Sequence, residues 1–153
     1  MPRVAQFGIA LGTLGAVLAV MGLFPGITGI EPTLGFGIAQ IVSILGGFSL
    51  LIIGALIYVK FTFYPTTASR LAQQIAIRLA LTGLVFAALS GLADILGFGS
   101  HARTPDLNID IFLGPWQATG LLGSFLIAAL GVLLYALTGD PEALDESGKN
   151  ADS

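Results

Sequence analysis

The chain has no cysteine, a single histidine and little charge. Only 10% of its 153 residues are Asp, Glu, Lys or Arg. Without cysteine there is no disulfide, no thiolate metal site, no thioether-linked haem and no lipidated thiol. With His101 as the sole histidine, bis-histidine haem ligation within one chain is excluded, and a zinc site would have to rest on scattered carboxylates. No glycine-rich phosphate loop, HExxH pattern or nucleophile with a neighbouring base is present, so the residues point to no catalytic activity. The six Lys and Arg form no cluster of the kind that binds nucleic acid.

What is abundant is apolar: 55% of residues are hydrophobic and the mean hydropathy is +0.92, the composition of a membrane protein. The charges fall at the ends and between four nearly uncharged runs of about 20 residues, each long enough to cross roughly 30 Å of hydrocarbon. The spacing predicts spans over about Val4–Phe24, Ile38–Val59, Leu79–Phe98 and Gln117–Leu137. The third is expected to be the inner part of a longer helix starting near Thr67. The first apolar run is too long for a signal-peptide core and lacks a small-x-small cleavage pattern, so it reads as a retained span. The expected fold is all-α with four transmembrane helices in residues 1–139, followed by an acidic, mobile cytoplasmic tail over 140–153.

One stretch occurs twice. Gly37–Tyr58 (GIAQIVSILGGFSLLIIGALIY) lines up without a gap against Gly114–Tyr135 (GPWQATGLLGSFLIAALGVLLY), matching at Gly37/Gly114, Gln40/Gln117, Gly46/Gly123, Phe48/Phe125, Gly54/Gly131, Leu56/Leu133 and Tyr58/Tyr135. At about 100° per residue, Gln40, Ser43, Gly47, Gly54 and Tyr58 share a sector of roughly 80°, and so do Gln117, Gly120, Ser124, Gly131 and Tyr135. Arg3-Val-Ala-Gln6 echoes Arg70-Leu-Ala-Gln73. These matches predict two helical hairpins, spans 1+2 (residues 3–60) and spans 3+4 (residues 70–137). Arg3, Lys60, Arg70, Arg78 and Lys149 fall on one side and Arg103 alone on the other, which puts both termini in the cytoplasm. Spans 2 and 4 then run in the same direction, so the repeat is of the parallel kind.

Small residues recur four apart on every span, as in Gly8-xxx-Gly12-xxx-Ala16, Ser43-xxx-Gly47, Gly83-xxx-Ala87-xxx-Gly91 and Gly120-xxx-Ser124-xxx-Ala128. Such spacing lets helices approach closely in lipid, where no hydrophobic drive joins them. The repeated stripe is expected to bring spans 2 and 4 together near the pseudo-axis. Gln40 and Gln117 are expected to cap their helix ends, with a hydrogen bond to each other or to the loops as the alternative. Asp94 lies shallowly within an apolar run, where pairing with Arg103 or His101 is the expectation and a proton or ligand role the alternative.

These features favour a non-catalytic polytopic protein that accompanies a larger membrane complex as an accessory, assembly or stabilising subunit. Its expected partners are the lipid bilayer and other membrane subunits or itself, and its expected location is the bacterial inner membrane or an equivalent one. A homo-oligomeric transporter or pore is the alternative, and a cofactor subunit ligated by His101 a weaker one; no cofactor is otherwise expected.

Overall fold

A computed structural model describes residues 3–29, 37–65, 70–93, 96–97 and 113–139. Four helices, α1 (Arg3–Leu23), α2 (Ile38–Phe63), α3 (Leu71–Gly91) and α4 (Pro115–Leu137), are each long and apolar enough to cross a membrane. There is no strand among the described residues. A single 3-10 turn over Pro25–Thr28 follows α1, begun by the proline and closed by Gly29 in the left-handed region at φ 76°.

Three helix starts share one device. Gln40 Oε1 accepts the backbone N–H of Gly37 at 2.8 Å, Gln117 Oε1 that of Gly114 at 2.7 Å, and Gln73 Oε1 that of Arg70 at 3.2 Å. Each glutamine stands third in its helix and satisfies the N-cap amide, the glutamine half of a capping box. This cap fixes the start of α3 at Leu71, inside the helical stretch expected from Thr67. Its other end also falls short: α3 stops at Gly91, not near Phe98, because the backbone turns over Leu92 and Ala93. α2 runs one turn further than expected, to Phe63, giving a rod of about 39 Å that exceeds the hydrocarbon core.

α1 packs antiparallel along α2, and α3 antiparallel along α4. Both seams are built mainly on small residues, spaced alternately three and four apart. On α1 the row is Ala5, Gly8, Gly12, Gly15, Ala19 and Gly22; on α3 it is Gln73, Ala76, Ala80, Gly83, Ala87 and Ser90. The expected four-residue spacing from Gly12 to Ala16 therefore gives way to Gly15. A 3-4 alternation keeps a seam on one side of paired helices, whereas a strict four-residue step drifts around the cylinder.

Contact across the seams is backbone to backbone. A Cβ on Gly54 would stand 2.5 Å from Gly12 N and 2.7 Å from Gly8 O; one on Gly131 would stand 2.5 Å from Ala80 N and 2.7 Å from Ala76 O. Gly47 likewise faces Gly15 and Ala19, while Gly83 faces Ser124 and Ala128. The helices touch where a side chain would hold them apart.

The two hairpins meet through larger side chains. Near the starts of α2 and α4, Ile41, Ile44 and Leu45 pack with Leu121, Phe125 and, from α3, Ala87. The rings of Phe48 and Phe125 lie 4.6 Å apart. Midway, Ile52 packs with Ala80 and Ala128; at the far end, Val59 packs with Ala76 and Tyr135. Start meets start and end meets end, so α2 and α4 run in the same direction. Apart from the tyrosines at the far end, where Tyr135 packs with Val59, the Gln/Gly/Tyr stripes do not make this contact, contrary to the expectation. They lie in the hairpin seams, and bulky residues beside them join the halves.

Candidate functional site

The residues singled out from the sequence divide into three groups. Gln40 and Gln117 are helix caps, the preferred of their two readings, and Gln117 is buried. Gly47, Gly54, Ser124, Gly131 and Tyr135 are buried in the seams, with Ser43, Tyr58 and Gly120 half-buried beside them. Asp94, His101 and Arg103, with the loop that holds the latter two and the tail over 140–153, lie outside the described residues.

Three hydroxyls within the spans turn back on their own helices. Thr13 Oγ1 donates to Ile9 O at 2.9 Å, Thr119 Oγ1 to Pro115 O at 2.8 Å and Ser124 Oγ to Gly120 O at 2.6 Å. A serine or threonine bonded to the carbonyl four residues earlier has satisfied its donor locally. Ser124 thereby hides its hydroxyl while keeping the small volume that the Gly83 contact requires.

One polar cluster closes the end of the bundle where α2 and α4 finish and α3 begins. The Tyr64 hydroxyl donates to Ala136 O at 2.9 Å, and its ring meets Tyr135 edge-on with centroids 6.2 Å apart. Any Cβ on Gly139 would overlap the Tyr64 ring. Gln73, only 2% exposed, contributes its Oε1 to the α3 cap, while its Nε2 has no hydrogen-bond partner among the described residues. The Thr62 hydroxyl is buried at the same end. This latch ties the α2 terminus to that of α4 across the hairpin boundary.

Sequence reasoning passed over both Tyr64 and the Gln73 cap. The cap had a signal: in each of the three cases a glutamine stands three residues after the residue that precedes the apolar helix. The latch had none, because it joins residues 72 positions apart.

A second set of glycines has no role in these seams. A Cβ on Gly46 or Gly123 would meet nothing within 4 Å. Gly46 and Gly123 occupy matching places in the repeated stretch, each one residue before a seam position, and their Cβ directions lead away from the bundle. Much of the outer surface is apolar, with Phe7, Val42, Val85, Phe86, Leu122 and Leu126 all exposed. No group of three or more potential metal ligands occurs among the described residues. The chain matches no protein-family model, no curated protein and no solved structure.

Proposed function

We propose that the chain is a non-catalytic integral membrane protein that accompanies a larger membrane complex as an accessory, assembly or stabilising subunit. The observation that carries this reading is the outward-facing pair Gly46 and Gly123, small residues in the spans at positions that internal packing does not call for. In lipid, glycine on an outer face permits close approach by another helix, the way the chain's own seams are made. The hydroxyls of Thr13, Thr119 and Ser124 donate to carbonyls of their own helices, which favours this reading over a homo-oligomeric pore, whose polar groups must serve a path.

We further infer a duplicated hairpin with parallel halves. In support, Gly54 meets Gly8 and Gly12 as Gly131 meets Ala76 and Ala80, and Gly47 meets Gly15 and Ala19 as Ser124 and Gly83 meet each other. By this pairing Ala5 corresponds to Gln73, one residue out of step with the Arg3/Arg70 echo. Arg3, Lys60, Arg70 and Arg78 lie towards the end of the bundle where α1 and α3 begin and α2 finishes, which by the positive-inside rule is cytoplasmic and takes both termini with it. A bacterial inner membrane, or an equivalent one, suits this arrangement.

Mild extraction from the native membrane, native sizing and mass spectrometry of companions test the function. The wild type is expected to co-migrate with a larger assembly, and Gly46→Ile with Gly123→Ile to release it while remaining helical and monodisperse. A wild type that runs alone, or as a homo-oligomer giving flux in liposomes, overturns the subunit reading. The cysteine-free chain makes orientation directly testable: single cysteines at the start of α1 and the end of α4 should both be protected from an impermeant thiol reagent in intact cells.

A further inference from the structure

The register of α3 against α4 fixes the depth of one charged side chain. A Cβ on Gly131 would stand 2.5 Å from Ala80 N and 2.7 Å from Ala76 O, so Gly131 lies opposite the middle of that turn, at the level of Arg78. Val59 packs with Ala76 and Ile77, which brings Lys60 of α2 to nearly the same level. Beyond Gly131, however, α4 runs on to Leu137, about 9 Å, without a charge and with Leu133, Leu134 and Leu137 exposed. Two neighbouring helices thus set the edge of the hydrocarbon at two heights, at the end of the bundle where α3 begins.

Arg78 faces outward. Gln74, Ile75, Leu81, Thr82 and Val85, which surround it on the helix surface, are all exposed. A guanidinium at that depth, paired with a carboxylate or not, keeps water or headgroups beside it. Tilting the bundle does not reconcile the two heights. A Cβ on Gly120 would meet Ser90 Oγ, so α3 already ends at Gly91 about 6 Å short of the level of Pro115, where α4 begins. A tilt that brought Arg78 out to the level of Leu137 would draw the other end of α3 further below the opposite headgroup layer.

We propose that the leaflet at this end is thinned beside the outer face of α3, where headgroups and water descend to Arg78, about 9 Å below the edge that α4 holds at Leu137. From Arg78 to Gly91 the helix offers about 20 Å of uncharged length to a core of roughly 30 Å, with Leu92, Ala93 and Leu96 extending it at the far end. A bilayer meets a short apolar surface by thinning, at a modest cost per ångström, and the α4 side of the bundle asks for no such change. The partner that the α3 face fits is therefore phospholipid with short or disordered acyl chains. The inference rests on the membrane reading but not on the subunit reading.

The test places the full chain in dioleoylphosphatidylcholine bilayers with a spin label on one introduced cysteine, Thr82→Cys or Ile127→Cys, and reads label depth by power saturation. Both positions are exposed and lie opposite each other, because Gly83 faces the turn from Ser124 to Ala128. The Thr82 label should sit about 6 Å below the headgroup boundary and the Ile127 label about 15 Å below it. Arg78→Leu should close most of that gap, whereas Arg78→Lys should keep it. A third label, on Leu89→Cys near the far end of α3, should hold its depth in Arg78→Leu. Equal depths at the first two positions, or a Thr82 label that Arg78→Leu leaves in place, overturns the proposal. So does a Leu89 label that shifts as far as the Thr82 label, since that marks a rigid tilt. Labels that all report bulk water would instead remove the membrane reading on which it rests.

Discussion

Replacing Gly131 with alanine should separate α3 from α4, whereas the same change at Gly123 should not. At Gly131 the new methyl would stand 2.5 Å from Ala80 N, 2.7 Å from Ala76 O and 2.8 Å from Ala80 Cα. Non-bonded heavy atoms rest about 3.5–4.0 Å apart, so the helices must part by roughly 1 Å. The obstructing atoms are backbone, which no rotamer change can move. Parting by about 1 Å forfeits roughly a quarter to a half of each dispersion contact in the neighbouring turns, and overpacking of this kind costs about 1–3 kcal/mol. Alanine's helix preference offsets at most about 1 kcal/mol, and less where the unfolded reference is still helical in detergent. The net expectation is a loss of about 1–2 kcal/mol for Gly131→Ala and a change within about 0.5 kcal/mol for Gly123→Ala, whose methyl meets nothing within 4 Å. Energy transfer between labels on two introduced cysteines, one on α3 and one on α4, would follow the separation as a denaturing detergent is titrated in. Equal midpoints for the two variants would refute the backbone-contact account of the seam.

Further outcomes follow from the helix ends. Gln117→Leu should lower stability by about 1 kcal/mol through loss of the bond to the Gly114 N–H, read as a lower denaturation midpoint and faster amide exchange at the start of α4. Tyr64→Phe removes the bond to Ala136 O but keeps the ring, and should cost about 0.5–1.5 kcal/mol by the same titration. Gly139→Ala should displace the Tyr64 ring and expose the latch, seen as new protease sensitivity near Pro65; an undisturbed Tyr64 environment would count against the overlap.

The number of spans and the place of the first, second and fourth were legible because lipid imposes them, a run of about 20 apolar residues without charge having few other uses, whereas the third was expected over Leu79–Phe98 and is Leu71–Gly91. Small residues were also recognisable as contact residues, but their partners were not. The stripe of Gly47, Gly54 and Tyr58 looks the same whether it faces α1 or α4. What decides is the complementary row on α1, from Ala5 to Gly22, whose 3-4 alternation is masked by the many other Gly and Ala residues of the first span. Phe48 and Phe125 were noted as a repeat match, yet their mutual stacking at 4.6 Å depends on how the two hairpins rotate against each other, and a local pattern carries no record of that. The glutamine caps were half legible, since Gln40 and Gln117 stood out as a matching pair while Gln73 was hidden in a polar stretch.

Were the halves the duplicated hairpins proposed above, they would pack symmetrically, and the pair Gly91 and Leu23 accounts for why they do not. Leu45 of α2 seats its side chain over Gly91 of α3, where an added Cβ would come within 2.8–3.2 Å of the Leu45 isopropyl group. By the pairing that relates the seams, the counterparts are Leu122 on α4 and Leu23 on α1. A leucine occupies the place of the glycine, so there is no seat for Leu122, and both leucines are exposed, at 66% and 42%. α3 therefore closes onto α2 and forms a compact group of three with α4, while α1 is held chiefly by its glycine seam with α2. The contact that Leu45 makes over Gly91 has no counterpart on α1, whose main packing is against α2. On the proposed duplication, Gly91 and Leu23 thus give the bundle two different sides.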